Sequence, residues 1–307
     1  MRILLAGSTG MVGSAILRNL NQQHEVIAVS SKIVDLTKRL ETFSFLNEVK
    51  PDIVINAAAK VGGINANSLY PVDFLSLNLQ IQTNLMDAAH SVNVEQFIFL
   101  GSSCIYPGNI SELINESDLM CGPLEPSNSA YAVAKIAGIE AVKSYRKQYG
   151  RKWISLMPCN LYGPFDNFNL QTSHVLAALL KKFMLAKKNN SSTVTLWGTG
   201  KPKREFLHVD DLASAVSFLL DNYDQDEHIN VGTSLDIEIR DLADLIAEVV
   251  GYEGEIFWDS TKPDGTMRKT LNTSKLKELG WKPSLDLRTG IKNTYDWCLA
   301  NPDRLGN

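Results

Sequence analysis

Tyr131 and Lys135 stand four residues apart in the stretch YAVAK. On a helix that spacing puts both side chains on one face, about one turn apart. An ammonium beside a phenol stabilises the phenolate and lowers the tyrosine pKa towards a useful range. Tyr131 can then deliver a proton to a ketone oxygen while hydride arrives at the carbon. The same spacing is also common on solvated helix faces, so it needs a second signal. Ser102 and Ser103 close the apolar run QFIFLGSS, and a serine there can hydrogen-bond a carbonyl oxygen. Cys104 follows Ser102 by two residues and can reach the same pocket, or it is simply a small buried apolar residue. His174, in TSHVLAALL, taken alone is an ordinary residue at a helix start.

A hydride needs a carrier, and the N-terminus offers a place for one. Gly7, Gly10 and Gly13 form G-x-x-G-x-x-G directly after the apolar run RILLAG. The first glycine permits a tight turn, the second lets backbone approach a pyrophosphate, and the third allows close helix–strand packing. The helix start then presents free N–H groups and a positive dipole end to phosphates. A plain structural turn is the bland alternative. The second strand ends in Ser30, Ser31 and Lys32 rather than in a carboxylate. A carboxylate would bond the ribose 2′-hydroxyl of NAD and repel a 2′-phosphate, whereas two hydroxyls and a cation accommodate NADP. An exposed loop with no role in selection is the other reading.

The elements that must position these groups alternate. Strands are predicted at 2–7, 25–30, 52–59, 96–103 and from 153. Between them come helices at 11–21, 37–49, 71–91 and 128–149, with Pro71 tolerated in a first turn. Near-continuous apolar strands alternating with helices predict an α/β fold, a Rossmann-type doubly wound parallel sheet. After Pro164 the alternation loosens. A helix is predicted at 172–188, a strand at 193–197, then the turn GTGKPKR. A helix at 209–220 and a strand at 228–231 return to the main sheet. A helix at 238–250, a strand at 255–258, a loop and two short helices complete the chain. The expected division is a dinucleotide-binding unit of 1–165 plus 206–232, and a smaller, discontinuous C-terminal substrate lobe of 166–205 plus 233–307.

Bulk properties narrow the classes. With 44% hydrophobic and 21% charged residues the chain is expected to fold as an ordinary globular protein. A net charge of −4 supplies no global positive field, so nucleic acid is not an expected partner. The four cysteines Cys104, Cys121, Cys159 and Cys298 show no CxxC pairing. No disulfide framework or zinc site is expected, and a reducing cytoplasm is. The short apolar N-terminus reads as a buried strand rather than a signal peptide. No apolar run reaches the length of about 18 residues that a membrane span needs.

The stretches GSTGMVGSA, AAAKVGGINAN, GSSCIYP, YAVAKIAGIE, NLYGP, REFLHVDD and KPDGTMRK together resemble the GDP-L-fucose synthase family of extended short-chain dehydrogenase/reductases. The resemblance runs from Arg2 to about Asp303. YAVAK marks the superfamily, while AAAKVGG, GSSCIYP and KPDGT narrow it.

That family epimerises C3 and C5 of GDP-4-keto-6-deoxy-D-mannose, then reduces C4 with NADPH. The resemblance implies that Tyr131 is the proton donor, that Lys135 orients tyrosine and nicotinamide ribose, and that Ser102 holds the C4 oxygen. It places Cys104 as the base and His174 as the acid of epimerisation. Such a pair suits the task, because protons beside a ketone are acidic and inversion needs a base and an acid on opposite faces. It implies NADP contacts at Gly7, Ser8, Thr9, Gly10, Met11, Val12 and Gly13, and at Lys32. Further contacts are implied at Leu100, Gly101, Ser102, Ser103 and Lys135, and at Pro158, Cys159, Asn160, Leu161 and His174.

For the nucleotide-sugar it implies four contacts. Arg204 can fork onto phosphate oxygens, and Trp197 can pack on ligand rings. Asp264 can accept from base or sugar hydroxyls, and Lys182 can neutralise diphosphate. The family often has arginine at Lys182, and lysine keeps the charge but not the bidentate geometry. The plain readings are lobe core for Trp197, a solvated face for Lys182 and a turn residue for Asp264. No metal is expected. Homodimers through the helices at 71–91 and 128–149 are implied.

Three further readings stand beside this one. A C4-reductase acting on a related GDP-keto-sugar, such as a 6-deoxy-heptose or 3,6-dideoxy sugar, would use the same reducing residues. A non-catalytic NADP-binding regulator would have no need of Ser102, Tyr131 and Lys135 together. A nucleotide-sugar dehydratase would carry an acidic pair where Ser102-Ser103-Cys104 stands.

Overall fold

The structure, a computed structural model, describes residues 1–20, 24–110, 112–262 and 264–305. Strand β1 (Arg2–Ala6) is followed by helix α1 (Met11–Leu20), β2 (Glu25–Val29), α2 (Arg39–Val49) and β3 (Ile53–Asn56). Then come α3 (Ile64–Leu69), α4 (Pro71–Ser91), β4 (Gln96–Leu100), α5 (Ser129–Tyr149) and β5 (Lys152–Pro158). With the later β9 (Ile229–Val231) these strands form one parallel sheet in the order β2-β1-β3-β4-β5-β9. Strands β3 and β9 are buried at every residue, and β1, β4 and β5 at every residue but the first, because helices cover both faces. The strand order reverses between β1 and β3, which is where such sheets open a ligand crevice at their C-terminal edge.

The rest of the chain builds a second core. It comprises β6 (Asn160–Tyr162), α6 (Val175–Lys188), β7 (Thr193–Trp197), β8 (Lys203–His208) and α7 (Val209–Asn222). After β9 follow β10 (Asp236–Glu238), α8 (Ile239–Val250), β11 (Glu255–Asp259), β12 (Arg268–Lys269), α9 (Ser274–Glu278) and α10 (Leu287–Ala300). Strand β8 runs between β10 and β12 and also pairs with β6, while β7 and β11 form a separate parallel pair. Phe168, Leu180, Phe183, Leu196, Phe206, Ile246 and Ile291 pack in this core. Helix α7 returns to the first core, packing along α1. Neighbouring residues of β8 serve both cores: Phe206 packs in the second and Leu207 in the first. That division follows from the pleat, which sends successive side chains to opposite faces.

Several expectations need correction. Lys203 and Arg204, read from sequence as the end of the turn GTGKPKR, begin strand β8, which runs on to His208. Its alternation is masked because Glu205 and His208 are polar yet buried. The second of the two short terminal helices is α10, with 14 residues. The helix expected at 11–21 is described to Leu20, and Asn21 lies outside the described residues, as does Pro263 of the KPDG stretch. No helix among the described residues is long and apolar enough to cross a membrane.

Candidate active site

The glycine turn between β1 and α1 is the first component. Gly7 has φ +80°, and a Cβ there would lie 2.7 Å from the Ala57 backbone. A Cβ on Gly13 would lie 2.0 Å from the Gly7 carbonyl oxygen. Gly10 differs, since its nearest neighbour would be 3.6 Å away and the space beyond is open. The backbone at Gly10 can therefore be approached closely, and the first-turn amides of Met11, Val12 and Gly13 have no intrahelical acceptor. A dinucleotide pyrophosphate fits this cradle. Ser8 is buried and donates to the Val29 carbonyl at 3.1 Å, which ties the turn to the end of β2, and Thr9 is exposed. Beyond β2, Ser31 and Lys32 are exposed, in a turn closed by the Ile33 and Val34 amides on the Ser30 carbonyl.

The second component sits where β4 ends. Lys135 is buried and donates to the Leu100 carbonyl at 2.8 Å. Its ammonium lies 5.7 Å from the Tyr131 ring centroid. A Cβ on Gly101 would meet the flexible end of the Met157 side chain at 2.3 Å. The Ser102 side chain caps a single 3₁₀ turn that holds Ser103 and Cys104, accepting the Cys104 amide at 3.4 Å. The Ser102 hydroxyl lies near enough to favour the Tyr131 phenolate, and the charge of Cys104 disfavours it. Ser102, Cys104, Tyr131 and Lys135 are thus one cluster.

The electrostatics of this cluster differ from the sequence expectation. Burial pushes the Tyr131 phenol up, the Cys104 charge adds to this, and the Ser102 hydrogen bond opposes both. Lys135 does not lower it, because its ammonium is turned to the Leu100 carbonyl and burial pushes its own pKa down to about 8. Burial also raises the Cys104 thiol, against which the Lys269, Ser102 and Lys135 groups act.

Lys269 was not singled out from sequence. It lies on β12 opposite Arg204 of β8, and burial lowers its pKa while the Cys104 charge acts to raise it. Glu125 is a second unforeseen member: its carboxylate supports the charges of both Lys269 and Arg204, and Thr266 donates to it at 3.0 Å. The only sequence signal for Lys269 was its place at the end of KPDGTMRK.

His174 caps the start of α6. Its segment is fixed to the loop after β3 by the Gly63 amide on the Thr172 carbonyl, 2.8 Å, and by Asn65 on the Gln171 carbonyl, 3.2 Å. The ring is accessible to solvent, yet surrounding protein lowers its pKa by desolvation. Pro158 and Cys159 are buried at the end of β5, with Asn160 and Leu161 half-buried just beyond. Cys159 belongs to the main core. Asn160 donates to the Glu205 carbonyl at 2.8 Å.

Glu205 ties three backbone segments together. It is fully buried and accepts the amides of Thr233, Ser234 and Leu271 at 2.5, 2.7 and 2.8 Å. Burial raises its pKa and these three amides oppose the rise. One carboxylate thereby joins β8 to the turn after β9 and to the segment after β12.

The four expected nucleotide-sugar residues are less uniform. Arg204 is half-buried beside Lys269 and Glu125. Trp197 is 64% exposed, so the lobe-core reading fails. Lys182 donates to the Thr195 carbonyl at 3.0 Å and lies 6.0 Å from the Trp197 ring. Asp264, read as a ligand acceptor or as a turn residue, accepts the Thr199 amide at 2.6 Å and its hydroxyl at 2.8 Å. The turn it holds contains Gly198 and Gly200, both at positive φ.

Comparison with known proteins agrees with this geometry. Residues 3–232 match the NAD dependent epimerase/dehydratase family. GDP-L-fucose synthase 1 of Arabidopsis thaliana is 52% identical over 302 residues, covering 98% of this chain and 94% of that protein. A GDP-6-OMe-4-keto-L-xylo-heptose reductase from C. jejuni superposes with a TM-score of 0.92 at 33% identity, covering 98% of each chain. A GDP-L-fucose synthetase from Naegleria fowleri bound to NADP superposes with a TM-score of 0.90 at 29% identity, covering 98% of this chain and 95% of the other. With its glycine cradle, its serine–tyrosine–lysine cluster and these relatives, the chain belongs to the NAD dependent epimerase/dehydratase family, in its GDP-L-fucose synthase group.

Proposed function

We propose that the chain converts GDP-4-keto-6-deoxy-D-mannose to GDP-L-fucose by 3,5-epimerisation and NADPH-dependent 4-reduction. The observation that carries this reading is the gathering of Ser102, Cys104, Tyr131 and Lys135 at the end of β4. Reduction alone needs three of these groups; a thiol beside them adds a base.

Cys104 takes the proton from carbon next to the C4 ketone, leaving an enolate whose negative charge rests on O4. Ser102 and Tyr131 donate hydrogen bonds to that oxygen. His174 returns a proton to the opposite face, which inverts the centre. When bound, NADPH supplies the hydride that makes C4 an alcohol carbon. Tyr131 gives its hydroxyl proton to O4 in the same event, so ketone, hydride and proton balance as an alcohol. Lys135, tied to the Leu100 carbonyl beside the Tyr131 ring, orients the phenol and the nicotinamide ribose. Arg204 and Lys269 face the diphosphate with two positive charges.

NADP is favoured over NAD because Ser30, Ser31 and Lys32 close β2 without a carboxylate. The cofactor unit is 1–165 plus 206–232, and the remaining residues form the nucleotide-sugar lobe. The long helices α4 and α5 pack together and leave Val72 and Val133 exposed, as a homodimer seam requires. A cytoplasmic, reducing setting keeps Cys104 a free thiol.

A C4-reductase of a GDP-keto-heptose is the second reading, favoured by the likeness to the C. jejuni enzyme. Product analysis by NMR with GDP-4-keto-6-deoxy-D-mannose and NADPH tests the choice. GDP-L-fucose is expected. In deuterated water without NADPH, deuterium is expected at C3 and C5, and its absence would leave only the reductase.

A further inference from the structure

Trp197 ends β7 with its indole exposed, and two ammonium groups stand at the ring. Lys182 lies 6.0 Å and Lys262 5.8 Å from its centroid. Lys182 spends one of its three donors on the Thr195 carbonyl at 3.0 Å, which holds it to β7. Lys262 is exposed, and the carboxylate that feels it, Asp259, has Oδ1 taken by the Thr261 amide and hydroxyl at 3.1 and 2.6 Å. Asp264 is held to the Thr199 turn and, as a carboxylate, donates no hydrogen bond. Lys262 is therefore the charged donor best placed to meet a ligand lying on Trp197.

The order of groups along the crevice says which part of the ligand that is. Cys104, Lys269 and Arg204 interact at the inner end. A Cβ on Gly265 would lie 3.7 Å from an Arg204 guanidinium nitrogen. Its neighbour Asp264 reaches Gly198 and Thr199, which follow Trp197. With the keto-sugar at Tyr131 and the diphosphate at Arg204 and Lys269, the nucleoside extends to Trp197. Stacking on an aromatic ring is tolerant of base identity, so Trp197 supplies affinity without selection. Guanine offers two acceptors, O6 and N7, on one edge, where adenine offers an amino donor in place of O6.

We propose that Lys262 donates to the O6 and N7 edge of a guanine stacked on Trp197, and so selects guanine nucleotides. The proposal rests on the GDP-sugar reading above and adds the group that reads the base.

Calorimetric titration of the full chain with GDP, IDP, ADP and UDP tests it without requiring turnover. IDP keeps O6 and N7 but lacks the 2-amino group. The wild-type chain is expected to bind GDP and IDP alike, each about tenfold tighter than ADP. Lys262→Met, which keeps the stem and removes the charge, should weaken GDP and IDP by about tenfold and leave ADP unchanged. Trp197→Ala should weaken GDP, IDP and ADP by similar factors and keep their ratio. If Lys262→Met weakens GDP and ADP equally, the lysine serves the diphosphate and the proposal fails. If it leaves GDP unchanged, the proposal fails as well. A wild-type chain that prefers GDP in either of those cases leaves the GDP-sugar reading standing. A wild-type chain that binds ADP as tightly as GDP overturns both.

Discussion

Asp264 accepts the amide and the hydroxyl of Thr199 at 2.6 and 2.8 Å and so braces the turn beside Trp197. Losing two such bonds costs about 1–2 kcal/mol of stability. Asp264→Ala should lower the unfolding free energy by about that amount and raise the KM for the GDP-sugar more than it lowers kcat. Asp264→Asn keeps one accepting oxygen and should fall between. Denaturant unfolding with steady-state kinetics checks this. An unchanged KM for the alanine variant would argue against the brace.

Cys104 and His174 shift in opposite directions, the thiol upward from 9.0 and the imidazole downward from 6.5, both chiefly through burial. Below the His174 value both groups are protonated and no base exists. Above the Cys104 value both are deprotonated and no acid exists. Between the two the sum of protons is constant, so the fraction in the thiolate–imidazolium form is constant too. Epimerisation, followed as deuterium uptake, should therefore show a flat profile from below pH 6.5 to above pH 9.0. Cys104→Ser and His174→Gln should each slow it by about 10²–10⁴-fold. A single sharp optimum near neutrality would contradict the assignment.

Lys135 sets activity against stability. Its pKa falls from 10.5 to about 8 on folding, because burial disfavours the ammonium. Between those values the unfolded chain holds more protons, so stability rises with pH there. Below about pH 8 the buried charge burdens the fold in full. Lys135→Met removes the charge and should hold its unfolding midpoint at pH 7 within about 3 °C. NADPH oxidation should fall by about 10²-fold or more. A variant that keeps its activity would remove Lys135 from the mechanism.

The two glycines of the cofactor turn should separate folding from binding. Gly13→Ala forces a Cβ to 2.0 Å from the Gly7 oxygen, against backbone that cannot yield locally. A loss of about 3 kcal/mol is expected. Gly10→Ala places its Cβ at 3.6 Å from the nearest atom, so the fold should tolerate it. The added methyl then stands where phosphate oxygens approach, and NADPH affinity should drop. Thermal melts with and without NADPH distinguish the two effects.

The sequence carried most of the first sheet, because fully buried parallel strands are continuous apolar runs and their helices are long. It also carried Ser102, Tyr131 and Lys135, which lie on consecutive elements. It missed β8, where the buried Glu205 and His208 break the apolar pattern. It missed Lys269 and Glu125 because each acquires its role from strands or loops distant in the chain. It left Asp264 open between ligand acceptor and turn residue, since a carboxylate beside glycine looks the same whether it awaits a ligand or a backbone amide. The direction of the Tyr131 shift depended on where the Lys135 ammonium points, which spacing alone does not give.

Strand β8 roots Phe206 in one core and Leu207 in the other. Opening the crevice like a pair of doors would tear one of those side chains from its packing, and Glu205 rivets three backbone segments at the same line. Strand β8 is thus a weld rather than a hinge.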